Sequence, residues 1–91
     1  MNSMAMQGMD TGEVRVLAQQ LHQASTDITT LVSTLTQRVQ NAPWAGPDRE
    51  RFVADWQSHH VTALNTVAQA LSDAGTLATT NAQQQDDASN A

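Results

Sequence analysis

The residues whose types and spacing come nearest to chemistry sit within one short run, which holds two of the three histidines. Asp55, His59 and His60 fall inside Asp55-Trp56-Gln57-Ser58-His59-His60, with Asp48 and Glu50 just upstream. Adjacent histidines point to different sides of a helix, so His59 and His60 cannot share a metal ion within one chain. Asp55 and His59, four apart, can face each other, but no further ligand joins them at metal-binding spacing. A Ser-His-Asp arrangement set in a structured loop, paired carboxylates on a rigid scaffold and a glycine-rich phosphate loop are all missing. A chain of two helices offers no concave pocket of its own. The expectation is therefore no enzyme, no catalytic residue, no metal and no cofactor. Asp48, Arg49, Glu50, Arg51 and Asp55 read as a solvated charged face rather than a docking patch, since Asp48–Arg51 and Arg51–Asp55 are at helical pair spacing.

The elements that carry these residues divide at one stretch, Asn41-Ala42-Pro43-Trp44-Ala45-Gly46-Pro47-Asp48, which holds both prolines. Pro43 lacks a backbone donor and biases Ala42 away from helical angles, so a preceding helix stops there. Pro47 has its φ preset for a first helical position, so a second helix starts there. Asp48 and Glu50 then meet the positive end of its dipole. Gly46 either takes a backbone angle other residues avoid or lets another chain approach closely. Trp44 is expected to pack onto the adjoining helices or a partner.

Upstream, Asp10 and Glu13 have capping-box spacing, which starts helix 1 near Thr11. Val14, Leu17, Leu21, Ala24, Ile28, Leu31 and Leu35 follow in alternating steps of three and four, a heptad stripe. Ala18, Val32 and Val39 widen it. Helix 2 is expected from Pro47 to about Gln83. Val53, Trp56, His60, Leu64, Val67, Leu71, Ala74 and Ala78 also step by three or four there, with Phe52, Ala63, Ala70 and Leu77 alongside. Gly75 costs roughly 1 kcal/mol against alanine in a helix interior, which makes it a weak point or an early end of the helix. Periodicity fades after about Gln85, where fraying is expected. Residues 1–9 are expected as a flexible tail, 10–85 as the helical hairpin and 86–91 as a second flexible tail.

The fold class expected is all-α: two helices of about 30 or more residues, each roughly 45 Å long, in an antiparallel hairpin. Helices this rich in Thr and Ser do not hold alone in water, and a single hairpin has a thin core. The stripes are wider than one hairpin needs, which predicts a dimeric four-helix bundle. Leu17, Leu21, Ile28, Leu31, Leu35, Phe52, Trp56, His60, Leu64, Val67 and Leu71 are the candidate hairpin or dimer seam, with His60 a neutral, hydrogen-bonded interface residue. Both helices are continuous and no long apolar tail awaits a partner, so a homodimer is favoured over a heterodimer.

Composition narrows the partners. The net charge is −5 at pH 7, with nine acids, four arginines and no lysine. That surface disfavours nucleic acid and anionic lipid. Cysteine is absent, which excludes disulfides and thiolate chemistry. The first nine residues have neither basic charge nor a continuous apolar run, so no secretory signal peptide is expected, and no stretch has transmembrane length.

With length, mid-chain position and two amphipathic helices, Trp44-Ala45-Gly46 resembles the WXG family, the ESAT-like (early secreted antigenic target-like) substrates of type VII secretion. Trp44-Ala45-Gly46-Pro47-Asp48-Arg49-Glu50-Arg51-Phe52-Val53-Ala54-Asp55-Trp56 resembles its actinobacterial branch, as does the opening Asp10-to-Leu21 stretch. The resemblance covers about residues 10 to 85. It implies a helical hairpin pairing as a homodimer or with another WXG-family protein. It implies export by a type VII secretion ATPase without a cleaved signal peptide, from the cytoplasm to the cell surface or medium. Trp44 and Gly46 carry over as the turn motif. The family's export signal, Tyr-x-x-x-Asp/Glu after helix 2, is not matched, because the chain has no tyrosine. The nearest positions are Asn81 and Gln85, with Asp86 one beyond; a partner supplies the signal or this chain carries a divergent one. The function expected is a dimeric secreted factor or an adaptor for a partner substrate. The alternatives are a membrane-active amphipathic hairpin, disfavoured by the acidic charge, and a non-exported structural piece of a helical bundle.

Overall fold

A computed structural model of the chain describes residues 8–90. The first seven positions of the expected N-terminal tail, and Ala91, lie outside the described residues. Helix α1 runs Thr11–Asn41. Helix α2 (Pro47–Asp55) continues through one π-helical turn, Trp56–His60, into helix α3 (Val61–Asn90). The two arms pack antiparallel as an all-α hairpin measuring 66 × 19 × 17 Å. That long axis is the length of the second arm, about 65 Å at 1.5 Å per residue.

The ends of α1 follow from local chemistry. The Asp10 carboxylate accepts the Glu13 backbone N–H at 3.1 Å, satisfying one unpaired donor of the first turn. At the other end Ala42 is extended (φ −61°, ψ 139°), as Pro43 requires. Gly46 has φ 112° and ψ −179°, a conformation essentially confined to glycine. No atom lies within 4 Å of where its Cβ would stand. Within the chain it is the backbone angle that calls for a glycine here. Pro47 then opens α2, with Asp48 and Glu50 in its first turn.

Where the arms meet, the residues are small. Ser25 Oγ donates to the Ala68 carbonyl at 2.6 Å, and the Ala18 carbonyl oxygen lies 3.0 Å from where a Gly75 Cβ would be. One heptad separates these pairs on each helix, and the same step carries the register to Thr11 opposite Ala82 and to Val32 opposite Val61. Ala18, Val32, Ala68, Gly75 and Ala82 are buried. The seam thus runs one residue beside the Leu17–Leu31 stripe of the sequence. Gly75 does not end the helix; it lets α1 come close.

The π turn has a counting role. From Val32 to half-buried Val39 is seven residues; from Val61 back to half-buried Val53 is eight. A π turn absorbs one residue without breaking the helix. Val53 and Trp56 therefore return to the seam.

Helix α3 extends to Asn90, beyond the expected end near Gln83. Gln83 Nε2 donates to Asp87 at 3.0 Å and Arg15 reaches both Gln83 and Asp86, so polar contacts replace the missing apolar period.

Candidate functional site

Two surfaces gather the sequence's candidate residues: the tip of the hairpin and one of its long flanks.

At the tip, Trp44 packs on Phe52 with ring centroids 5.4 Å apart and planes tilted by 56°, a favoured aromatic geometry. Both rings stay near half exposed, Trp44 at 44%. Trp44 therefore leans on the start of the second arm without being enclosed by it. The turn is fastened by Arg49, whose Nη2 donates to the Gln40 carbonyl at 2.8 Å and whose Nη1 reaches Glu50 at 3.0 Å. A cation there meets the negative end of α1. One turn further, Trp56 Nε1 donates to Thr36 Oγ1 at 2.8 Å and ties the arms together. Arg51 and Asp48, 3.8 Å apart and largely exposed, are the solvated pair the spacing suggested.

The Asp55-Ser58-His59 group forms no relay. Asp55 lies 3.6 Å from His59 Nδ1 and Ser58 Oγ lies 3.2 Å from the same nitrogen, while Ser58 also donates to the Ala54 carbonyl. A nucleophile–base–orienter chain uses both ring nitrogens. His60 is exposed, its ring 6.0 Å from that of Trp56. Among the described residues no three His, Cys, Asp or Glu side chains gather as a metal site.

Equal offsets from the seam in an antiparallel pair fall on the same flank. Arg15 and Asp86 each stand four residues past a seam position, and they meet at 2.9 Å on what is a polar flank. Leu17, Leu31 and Val67 each stand one residue before a seam position, so they share the opposite flank. All three are exposed, Leu31 at 54%, and Leu77 extends the patch at 60%. Leu21, Ile28 and Leu35 on α1, with Leu64 and Leu71 on α3, are half-buried between this patch and the seam. The stripe read from the sequence thus splits, part turned inward and part left on an open apolar flank.

Asn81 is exposed, while Gln85 and Asp86 are half-buried; all three lie within α3. No helix among the described residues is long and apolar enough to cross a membrane.

Sequence reasoning missed Thr36 as the indole acceptor, Arg49 as the clasp of the turn and His22 over Gly75. A legible signal for the seam existed in small residues recurring every seven positions: Ala18 and Ser25, then Ala68, Gly75 and Ala82.

No family model, curated protein or solved structure compared with the chain matches it.

Proposed function

We propose that this chain is a small, non-enzymatic hairpin protein of the WXG type, exported by a type VII secretion system as a dimeric four-helix bundle. The observation that carries the reading is the turn. Trp44-Ala45-Gly46 sits where two long antiparallel helices join, with Gly46 in a backbone conformation that needs glycine.

The open apolar flank supports the dimeric part. Among the described residues the buried apolar core is Ala18, Val32, Ala68 and Ala82, all small or medium-sized, while larger residues such as Leu31 and Leu77 face water. The accessible surface is 6449 Å², against about 5,200 Å² for a compact protein of this mass. The difference exceeds one partner's share of a standard interface, about 800 Å². Export without a tyrosine signal favours a role in which a partner chain or the part of α3 that carries Asn81, Gln85 and Asp86 addresses the secretion ATPase.

Two measurements test the reading separately. Light scattering on the purified chain should return twice 9.8 kDa; a monomer mass with intact helicity rejects the homodimer. Culture fractions of the native host, with and without a working type VII ATPase, should show the chain outside the cell only when the ATPase works. Retention in the cytosol in both strains rejects export.

A further inference from the structure

The last two turns of α3 are built differently from the rest of the hairpin. The seam register ends at Thr11 opposite Ala82, so Gln83–Asn90 runs past the first turn of α1. It reads Gln83-Gln84-Gln85-Asp86-Asp87-Ala88-Ser89-Asn90, without a large apolar residue. Asp86 and Asp87 stand near the negative end of their own helix, and Asp, Ser and Asn are poor helix formers. Among the described residues, a fork from one side chain ties this stretch back. Arg15, a turn inside α1, donates through Nη2 to Gln83 Oε1 at 3.2 Å and to Asp86 Oδ2 at 2.9 Å. Among the described residues this is the one ion pair that joins the two arms. Arg15 is the charged group that faces Asp86 from α1. Asp87, on the strap itself, accepts from Gln83.

We propose that Gln83–Asn90 is a releasable strap, latched to α1 by the Arg15 fork on Gln83 and Asp86, which uncoils while the remainder of the hairpin stays folded. The layers from Thr11–Ala82 to Val32–Val61 rest on close helix packing and do not depend on the latch. Neutralising either charge, or offering Asp86 a competing cation, opens the strap and leaves an acidic, glutamine-rich end free. The inference stands apart from the export reading, since it concerns contacts within one chain.

The test is amide hydrogen exchange resolved by segment at neutral pH, on the full chain, on Arg15→Gln and on Asp86→Asn. The unmodified chain is measured also in about 1 M salt, where screening acts within about 3 Å. Exchange in 83–90 should rise about two- to fivefold in both variants and in salt, the range expected of a half-exposed ion pair, with 61–82 unchanged. The charge swap Arg15→Asp with Asp86→Arg should restore protection. Unchanged exchange in 83–90 across both variants and salt overturns the latch. Equal acceleration of 61–82 overturns the independence of the strap. Full, unprotected exchange of 83–90 in the unmodified chain overturns its docking.

Discussion

Replacing Gly75 by alanine sets two effects of known size against each other. In an exposed helix interior the change stabilises by about 1 kcal/mol, because glycine loses more backbone freedom on folding. At Gly75 the added Cβ would stand 2.8 Å from His22 Nε2, 2.9 Å from His22 Cδ2 and 3.0 Å from the Ala18 carbonyl oxygen. The imidazole can swing aside; the carbonyl belongs to the backbone of α1 and moves only if the helices part. Overpacking of this kind costs about 1–3 kcal/mol, so the net expectation for Gly75→Ala is a loss of roughly 1 kcal/mol, or about 4–8 °C in Tm. Gly12→Ala is the internal control. Its Cβ meets only Asp10 Oδ1, at an ordinary 3.5 Å, so there the substitution should stabilise, by up to about 1 kcal/mol. The double variant His22→Ala, Gly75→Ala removes the ring and should recover part of the loss. Urea unfolding followed by circular dichroism, at one fixed chain concentration, reads all three. A Gly75→Ala variant as stabilised as Gly12→Ala would refute close approach of the helices at this layer.

Gly46→Ala forces a side chain into a conformation reserved for glycine and should cost about 1–3 kcal/mol; an unchanged urea midpoint would show that the turn relaxes freely. Trp44→Ala should cost only about 1 kcal/mol, the scale of an aromatic pair beyond its burial, because its ring already faces water; a loss above 3 kcal/mol, as full burial gives, would mean that something encloses it. Thr36→Val keeps the shape beside Trp56 but removes the acceptor of its indole N–H, with an expected loss of about 1 kcal/mol in urea unfolding; no loss would mean that water replaces the hydroxyl. The hydrogen bond from Arg15, with the Arg15 charge, holds the Asp86 carboxyl below its ordinary 3.8. Its contribution is therefore complete above that value and lost as pH falls through the lower folded one. The acid limb of stability should flatten in Arg15→Gln, and an identical acid limb would show that Asp86 is not coupled to folding.

The helices and the break between them were legible because local terms decide them. Asp10 caps α1, Pro43 ends it and Pro47 starts the second arm, each through its own backbone chemistry and with little help from distant residues. Gly46 was legible as a residue with a special role, though only the structure gave its φ of 112°. The seam was half legible. A hydropathy pattern ranks Leu17 and Leu31 above Ala18 and Ser25, yet α1 and α3 meet on the smaller residues, because small side chains let two helix backbones approach. The end of α3 was misjudged near Gln83 because its support is a long-range side chain, Arg15, that no local period announces.

By itself, then, the sequence determined two long helices, their antiparallel return through Trp44-Ala45-Gly46 and the wide apolar stripe along each. Those outcomes rest on interactions among residues a few positions apart. Tertiary structure decided which of two neighbouring stripes closes the hairpin and which stays open. It also placed Gly75 against α1 and inserted the π turn that brings Val53 and Trp56 back into register. These depend on the distance and offset between two helices, which only their packing sets.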